Sequence, residues 1–241
     1  MTADRDIDDV SRTWTKLGGE DPMWAVLTDK GKSGNRWSPE EFLATGVAEI
    51  DAVLDRLNAL GLQPERSRAL DFGCGAGRLS HGLAQVGFDQ VLGCDISPTM
   101  LAKARELVTD EACQFVQVTG THLGAVETDS VDLVYSCRVL QHMPPALAHG
   151  YIREFWRVAR PGAVVVFQMP TRPSSSVAGR VLSALPAPVA RVLRRGMEMH
   201  GTPEPEVEGL VESLGARVVA ADPDTSAGPR WDSRLYITTT A

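Results

Sequence analysis

The stretch that decides the fold reads Arg-Ala-Leu-Asp-Phe-Gly-Cys-Gly-Ala-Gly-Arg-Leu, residues 68–79. A short apolar run leads into three glycines at alternate positions, Gly73, Gly75 and Gly77, and a helix is predicted to begin at once. Glycine has no Cβ and accepts positive φ, so the backbone of such a turn can approach a ligand closely. The start of the helix adds unpaired N–H groups. The segment therefore predicts a ligand site at the carboxyl end of a strand.

Around this segment, short apolar runs alternate with amphipathic helices. The runs predict five strands, at 69–72, 90–94, 114–118, 131–135 and 164–167, followed by two more near 216–221 and 234–240. Helices are predicted over about 76–86, 98–109 and 146–159, and a capping box at Ser38-Pro39-Glu40-Glu41 begins an earlier one. Strands that alternate with helices indicate a parallel sheet covered on both faces, a doubly wound (Rossmann-like) α/β fold.

The chain has 241 residues, of which 43% are hydrophobic, enough for one well-filled core and too few for two full-sized domains. We therefore predict a single domain, 1–241. Its parts are an N-terminal aromatic segment and helix (1–62), the core around the glycine turn (66–170), an insertion or lid (171–200), and a C-terminal helix with strands (201–241).

Charge and composition exclude several classes of protein. The net charge of −7 disfavours a nucleic-acid partner. No apolar run approaches the roughly 18 residues of a membrane span, and the polar, acidic first twenty residues predict a cytoplasmic protein without a secretory signal. The four cysteines form no C-x-x-C pair, and no His/Asp/Glu cluster has ligand spacing, so no metal is predicted.

A second landmark is Val-Leu-Gly-Cys-Asp-Ile-Ser-Pro-Thr-Met, residues 91–100, in which Asp95 ends the second strand. A carboxylate about 20 residues beyond the glycine turn is where such folds hold ribose hydroxyls. A dinucleotide fingerprint would have glycine at position 78, where Arg78 stands, which weakens the prediction of an NAD-dependent oxidoreductase without removing that alternative. Asp71, two residues before Gly73, favours a cationic or ammonium-bearing ligand over a pyrophosphate.

The motifs LDFGCGAGRLS (70–80), GCDISPTMLAKAR (93–105), DSVDLVYSCRVLQHMP (129–144) and RVARPGAVVVFQMP (157–170) together resemble the class I S-adenosylmethionine-dependent methyltransferases. The resemblance is to the small single-domain group that acts mostly on small molecules. It implies a seven-stranded sheet with an antiparallel last strand. It also implies an enzyme that transfers a methyl group from S-adenosylmethionine to a small-molecule acceptor by direct in-line displacement, leaving S-adenosylhomocysteine.

The resemblance also assigns cofactor-binding residues. Asp71 and the glycines would surround the methionine half, Asp95 would hold the ribose and Ile96 would pack against adenine. The family often has an aspartate where this chain has Thr119, so the adenine contact there is a departure from the pattern. The complete set implied is Asp71, Gly73, Gly75, Gly77, Asp95, Ile96, Thr119 and Ser136, the last of these near the sulfonium.

Candidates for the acceptor side follow from residue type and position. His142, just after the fourth strand, would serve as a general base or simply order its loop. Cys137 is interpreted as structural filler rather than a nucleophile. The other candidate substrate residues are the aromatic residues Trp24, Trp37 and Phe42, considered together with Trp14 either as a lid or as packing, and the pair Met197 and His200.

Several alternatives stay open at this stage. Arginines of the insertion, such as Arg172 and Arg191, would bind an anionic acceptor or belong to a solvated helix face. A non-catalytic, cofactor-binding partner or regulatory protein and a homo-oligomer are both compatible with the sequence. An RNA or protein methyltransferase is disfavoured by the acidic balance.

Overall fold

The computed structural model describes residues 2–175 and 197–240 of the chain. Its centre is a seven-stranded sheet in the order β3-β2-β1-β4-β5-β7-β6. The strands are β1 (Arg68–Phe72), β2 (Gln90–Asp95), β3 (Cys113–Gln117), β4 (Val131–Ser136), β5 (Ala159–Pro173), β6 (Ala216–Asp224) and β7 (Trp231–Thr240).

The first five strands are parallel to one another, and β7 is antiparallel to both of its neighbours, β5 and β6. The predicted doubly wound α/β sheet with an antiparallel last strand is confirmed. The chain reverses its winding beside β1, because β1 pairs with β2 on one side and with β4 on the other. In open α/β sheets ligands bind at such a reversal, beyond the carboxyl ends of the strands.

Seven α-helices are present in the described ranges: α1 (Thr2–Glu20), α2 (Pro22–Val26), α3 (Pro39–Ala59), α4 (Arg78–Gln85), α5 (Pro98–Leu107), α6 (Pro145–Val158) and α7 (Glu204–Ser213). The predicted capping box is present at the start of α3, where Ser38 Oγ accepts the Glu41 N–H at 3.2 Å. At the start of α5, Ser97 Oγ accepts the Met100 N–H at 3.2 Å. None of the helices in the part of the chain described combines the length and apolar character needed to span a membrane.

Helices cover both faces of the sheet. On one face Phe72 of β1 packs against Tyr151 and Phe155 of α6, with ring centroids 4.6 and 5.0 Å apart. On the other face the buried side chains of Ile50 from α3 and Leu83 from α4 belong to a second core cluster. The central strands are therefore rigidly held, and their carboxyl ends are fixed relative to one another.

The structure differs from the sequence prediction at several elements, and β6 and β7 each extend three residues further toward their connector than predicted. Helix α1 is absent from the prediction, although Ile7, Val10, Trp14 and Leu17 recur at helical spacing among its polar residues. β5 begins five residues earlier than predicted and continues to Pro173, since β7 pairs with it as far as Pro173–Trp231. Helix α4 begins at Arg78 rather than near 76, because Gly77 has a φ of +86° and forms the cap. The central residues of the predicted insertion, 176–196, lie outside the described residues.

Candidate active site

A cavity of about 600 Å³ opens at the carboxyl edge of the central strands. Its volume lies within the usual range for small-ligand sites. Residues directly beyond β1, β2 and β4 line it, among them Gly73, Ile96 and Cys137. Further walls come from α1, from the segment 25–29, from the loop after β4 and from the connector between β6 and β7. The site therefore combines the reversal point of the sheet with segments from both ends of the chain.

The glycine turn forms the floor of this cavity. The N–H groups of Gly73 and Cys74 both donate to the carbonyl of Cys94, at 2.7 and 3.0 Å, which ties the turn to β2. Gly73 and Gly75 have φ values of +75° and +53°. A Cβ added at Gly73 would lie 2.2 Å from a methyl group of Val139, and one at Gly75 would lie 2.6 Å from Val26. Only glycine satisfies both the backbone conformation and the available space.

Asp95 forms the polar end of the same floor. Its Oδ2 accepts the N–H of Gly75 at 2.9 Å and its Oδ1 accepts the N–H of Ser97 at 2.8 Å. Burial raises the pKa of the Asp95 carboxyl above its ordinary value, and the hydrogen bonds from Ser97 and Gly75 oppose that rise. A carboxylate oxygen has room to accept more than one hydrogen bond, and each Asp95 oxygen accepts one from these two N–H groups. Asp95 therefore lines the cavity in a fixed orientation and retains acceptor capacity for a ligand.

Asp71 lies beneath the turn instead of on the cavity wall. It is fully buried, and its Oδ2 accepts the hydroxyl of Ser80 at 2.6 Å. Its Oδ1 is buried without a hydrogen-bond partner among the described residues. Burial raises the pKa of Asp71 to about 7, although the Ser80 hydrogen bond and the nearby Arg78 oppose the rise. An orphaned buried carboxylate oxygen under the floor is consistent with a cationic or ammonium-bearing ligand above it.

Three other predicted cofactor residues lie outside the cavity, and two of them, Gly77 and Ser136, support its floor. Gly77 caps α4, and a Cβ there would lie 2.9 Å from Val108 after α5. Ser136 is buried, and its hydroxyl donates to the Phe72 carbonyl at 3.1 Å across the β1–β4 pair. Thr119 is exposed and does not line the cavity. Direct contact with a ligand is therefore not supported for Gly77, Ser136 or Thr119 in this conformation, whereas Ile96 lies on the wall as predicted.

The three aromatic residues predicted at the substrate side lie behind the wall. Phe42 is fully buried and meets Trp37 edge-on, with ring centroids 6.0 Å apart. The Trp37 Nε1–H donates to the carbonyl of Leu27 at 3.2 Å, and Trp24 packs against the same cluster. This arrangement corrects the lid interpretation for these three residues: they hold the segment 25–29, whose backbone and side chains line the cavity. Of the four aromatic candidates, Trp14 is the one that reaches the cavity.

His142 lines the cavity beside Trp14, with the two rings edge-on and their centroids 5.0 Å apart. Its Nδ1 lies 2.8 Å from the carbonyl oxygen of Glu198, and its Nε2 lies 3.0 Å from the amide nitrogen of Gln141. A carbonyl oxygen accepts only, so Nδ1 carries the proton that is donated to Glu198. Nε2 is then the nitrogen that accepts from Gln141.

A buried chain of amides leads to the same assignment from the opposite end. The backbone N–H of Arg138 donates to Gln168 Oε1 at 3.0 Å, which fixes the orientation of the fully buried Gln168 amide. The Gln168 amide nitrogen therefore donates to Gln141 Oε1 at 3.2 Å, and the Gln141 amide nitrogen is turned toward His142. Both ends of the chain indicate the Nδ1–H tautomer of His142.

The remaining predicted substrate residues lie close to His142. Met197 lines the main cavity and packs against the cluster that contains Leu17 and Met100. His200 lines a smaller adjoining depression together with His142, and its backbone N–H donates to the Gln141 carbonyl at 2.8 Å. His200 is therefore next to the cavity but does not line it.

Sequence reasoning missed two groups of wall residues. One is Ala25–Asp29, which follows the unpredicted α1. The other is Arg138 with the β6–β7 connector, 225–231, where the turn signal of Gly228-Pro229 was visible but indicated only a loop. No cluster of three or more His, Cys, Asp or Glu side chains suited to a metal ion occurs in the ranges 2–175 and 197–240.

Known proteins share this architecture. Residues 70–167 match the protein-family model described as a methyltransferase domain. The ubiquinone biosynthesis O-methyltransferase of Xanthomonas oryzae pv. oryzae is 32% identical over 173 residues, 67% of this chain and 66% of that protein. The protein of the same name from Hahella chejuensis is 30% identical over 165 residues, 67% of each chain.

Solved structures agree on the fold. Magnesium protoporphyrin IX methyltransferase from Synechocystis PCC 6803 with bound S-adenosylhomocysteine has a TM-score of 0.67 and 21% identity, over 96% of this chain and 98% of that one. The chain belongs to the class I S-adenosylmethionine-dependent methyltransferases. The predicted family, methyl donor and reaction class are confirmed, and the nicotinamide alternative is set aside. The chain spans slightly less than two thirds, 66%, of the Xanthomonas relative, so that protein's acceptor is not assigned to this chain.

Proposed function

We propose that the protein methylates a small organic acceptor, with S-adenosylmethionine as the donor and direct in-line displacement as the mechanism. The observation that carries this proposal is that one cavity of about 600 Å³ has two differently built sides. The glycine floor with Asp95 forms one side, and α1, the 25–29 segment and the β6–β7 connector form the other. A cavity of this size suits a small ligand, and the net charge of −7 disfavours a nucleic-acid acceptor.

Four residues would hold the donor directly. The backbone at Gly73 and Gly75 would lie against its methionine half, because no Cβ intervenes. Asp95 would accept hydrogen bonds from the ribose hydroxyls, and Ile96 would pack against the adenine. Asp71, Gly77 and Ser136 then act, in this proposal, through the shape and charge of the floor, and the exposed Thr119 takes no part in it. The fit rests on the glycine conformations and on the orphaned Asp71 oxygen described above.

When bound, the cofactor supplies a methyl group that its sulfonium has already activated. The protein's own contribution is then to position the acceptor in line and to exclude water. Apolar side chains from three elements serve the second purpose: Val10 and Trp14 of α1, Val26 of α2, and Met197 after the undescribed segment all line the cavity.

His142 is the residue we assign to proton transfer, where the acceptor must lose a proton on methylation. Its Nδ1–H is held by the Glu198 carbonyl, so Nε2 is the nitrogen available to accept a proton. Nε2 already accepts from Gln141, and the acceptor would have to displace that amide to reach it. Gln141 therefore positions the ring in the resting site and gives way when the acceptor binds.

Binding calorimetry and thermal unfolding test the donor half of this proposal. S-adenosylhomocysteine is expected to raise the melting temperature and NAD is not, since a ligand that binds only the folded state stabilises it. Transfer from methyl-labelled S-adenosylmethionine to a panel of phenols, carboxylic acids, amines and thiols, followed by mass spectrometry, tests the acceptor half. Binding without transfer to any small molecule would contradict the proposed acceptor class, and absence of binding would contradict the whole proposal.

A further inference from the structure

Arg138 has an unusual backbone at the wall of the cavity. Its φ is +63°, a left-handed value that is uncommon for a residue other than glycine. Its N–H donates to Gln168 Oε1 at 3.0 Å. Gln168 is fully buried on β5, the strand that lies between β4 and β7. Backbone conformations of this kind persist where the surroundings enforce them, and they cluster at functional sites. The fold therefore fixes Arg138 at the carboxyl end of β4.

The guanidinium of Arg138 is only weakly engaged by its neighbours. Its Nη1 lies 3.5 Å from Glu49 Oε2, but Glu49 is already held by Arg78 at 2.8 Å and by the Tyr135 hydroxyl at 2.9 Å. Asp224 also faces Arg138, and its Oδ1 accepts the backbone N–H and the hydroxyl of Ser226. The Nε and Nη2 groups of Arg138 donate to no residue in the part of the chain described.

Arg230 reaches the same cavity from the connector between β6 and β7. Its backbone carbonyl accepts the Ser174 N–H at 2.8 Å, which ties the connector to the end of β5. Arg230 is exposed, and its guanidinium forms no hydrogen bond with a residue of the described ranges. Two arginines from separate elements thus line one cavity with unused donors.

The charges of the cavity are segregated along the sheet. Among the described residues, two carboxylates line it, and both belong to the glycine-turn side. Asp95 is bonded to Gly75, and Asp29 lies three residues after Val26, which covers Gly75. Neighbouring strands of a sheet are about 4.8 Å apart. In the order β2-β1-β4-β5-β7, the end of β4, which leads to Arg138, is therefore roughly 10 Å from β2. The start of β7, which follows Arg230, is roughly 19 Å from β2. The two arginines lie toward the opposite side from Asp95.

We propose that Arg138 and Arg230 bind a carboxylate group of the acceptor, which would make the acceptor an apolar or aromatic acid. The inference rests on the proposed function. Arginine pairs well with carboxylates because its planar fork matches their geometry. Arg78 and Arg138 are balanced by the two carboxylates beside them, Glu49 and Asp224, so Arg230 adds the one positive charge that remains, which suits a monoanion better than a phosphate dianion. Trp14, Met199 and Trp231 supply apolar wall for the rest of the molecule.

The test uses the full chain saturated with S-adenosylhomocysteine. Binding of benzoate, cinnamate and decanoate is measured by calorimetry or ligand-observed NMR, each beside its neutral amide. We expect at least one acid to bind about tenfold or more tightly than its amide, and Arg138→Gln and Arg230→Gln each to remove most of that preference. Arg172→Gln is the matched control, because Arg172 is an exposed arginine on β5 that pairs with Asp232 outside the cavity.

The same variants show whether the two arginines bind the carboxylate of the acceptor or the carboxylate of the donor's methionine half. Affinity for S-adenosylhomocysteine, measured first, should change less than about threefold in Arg230→Gln and in Arg138→Lys. A loss of donor affinity as large as the loss of acid affinity would overturn the inference and assign the arginines to the donor. No preference for any acid over its amide, with donor binding intact, would also overturn it while leaving the proposed function standing. Arg230→Gln keeps the test decisive if Arg138→Gln does not fold.

Discussion

Gly75 donates its backbone N–H to Asp95 Oδ2 at 2.9 Å, although Gly75 follows β1 and Asp95 is the last residue of β2. The glycine turn and the end of β2 therefore form one unit, and each holds the other in the conformation that faces the cavity. Ser97 completes the unit by donating to Asp95 Oδ1 at 2.8 Å, while its own hydroxyl caps α5. A change at Asp95 is thus expected to alter both the contact with the donor and the shape of the floor.

Asp95→Ala should weaken binding of S-adenosylhomocysteine by about 1–3 kcal/mol, because it removes a charged hydrogen-bond acceptor and releases two N–H groups. Calorimetry measures the affinity directly. Asp89→Ala serves as the control, since Asp89 is exposed and its side chain has no hydrogen bond to a described residue. Unchanged affinity in the Asp95 variant would remove this residue from the donor site.

Gly73→Ala should destabilise the protein and abolish donor binding. The positive φ alone costs an alanine about 1–2 kcal/mol, and the overlap with Val139 adds about 1–3 kcal/mol. Urea unfolding measures the sum. Adding Val139→Ala to Gly73→Ala should restore the part of the unfolding free energy that is lost to the overlap, but not the part lost to the positive φ. Gly124→Ala should leave the unfolding free energy nearly unchanged, because a Cβ there would meet nothing within 4 Å. A Gly73→Ala protein as stable as Gly124→Ala would refute the described conformation.

Asp71 should make the stability of the ligand-free protein fall as pH rises. Its folded-state pKa of about 7 exceeds the ordinary value of 3.8, so between roughly pH 4 and 7 the folded state binds more protons than the unfolded state. This contribution to stability is complete below pH 4 and is lost as pH approaches and passes 7, by at most about 4 kcal/mol. Urea unfolding of Asp71→Asn at several pH values should therefore show a flatter profile than the parent.

Asp89→Asn is the matched control variant, because Asp89 is an exposed aspartate whose side chain has no hydrogen bond to a described residue. Asp95 also has a raised pKa and contributes in the same direction, so only the difference between the parent and Asp71→Asn reports on Asp71. Parallel curves for the parent and Asp71→Asn would contradict the burial of a titrating carboxyl at this position.

The tautomer of His142 can be observed by ¹⁵N NMR of labelled histidine. We expect its Nδ1 to carry the proton in the ligand-free protein, and Gln141→Leu to remove the hydrogen bond at Nε2. The exposed His122 gives a reference signal. Once an acceptor is known, His142→Asn should slow turnover by about 10²-fold if Nε2 accepts its proton. A dominant Nε2–H signal in the parent would contradict this assignment, because Nε2 would then donate to Gln141 instead of accepting from it.

Trp37 and Trp14 should respond differently to truncation. Trp37→Ala is expected to cost about 3–5 kcal/mol of unfolding free energy, because the ring is buried and packs against Phe42. Trp14→Ala should cost less than half of that, since Trp14 is partly exposed on the cavity wall. Urea unfolding of both variants measures the contrast. Equal losses would mean that Trp14 belongs to the core in the same way as Trp37.

The strand and glycine pattern predicted the sheet and the position of the glycine turn beside Asp95 because both depend on local sequence. Apolar runs that end at Phe72 and Cys94 place Gly73 and Asp95 side by side in any parallel β1–β2 pair, whatever the rest of the chain does. Apolar runs also predicted the last two strands, near 216–221 and 234–240, and the family resemblance added that the last strand is antiparallel, which the runs alone do not specify. These parts of the prediction followed from short-range rules, and the structure agrees with them.

The acceptor side was less predictable because it is assembled from distant segments. α1 carries apolar side chains at Ile7, Val10, Trp14 and Leu17, which recur at helical spacing, so the signal for this helix was present in the sequence and was missed among the polar residues between them. Trp24 and Trp37 have the residue type of a lid but lie behind the wall, and nothing in their spacing distinguishes the two positions. Arg138 follows β4 directly, yet its positive φ depends on Gln168, thirty residues later.

The separation of the two ends of the cavity along the chain has a consequence for diversification. The glycine turn and Asp95 are encoded within one continuous stretch, from β1 to the start of α5, whereas the opposite wall draws on the first helix, the loop after β4 and the turn of the β6–β7 hairpin. Under the proposed function, insertions or exchanges in those peripheral segments are expected to change which molecule is accepted while the Gly75–Asp95 bond stays intact. New specificities are therefore open to this scaffold through changes at its margins, while its chemistry stays constant.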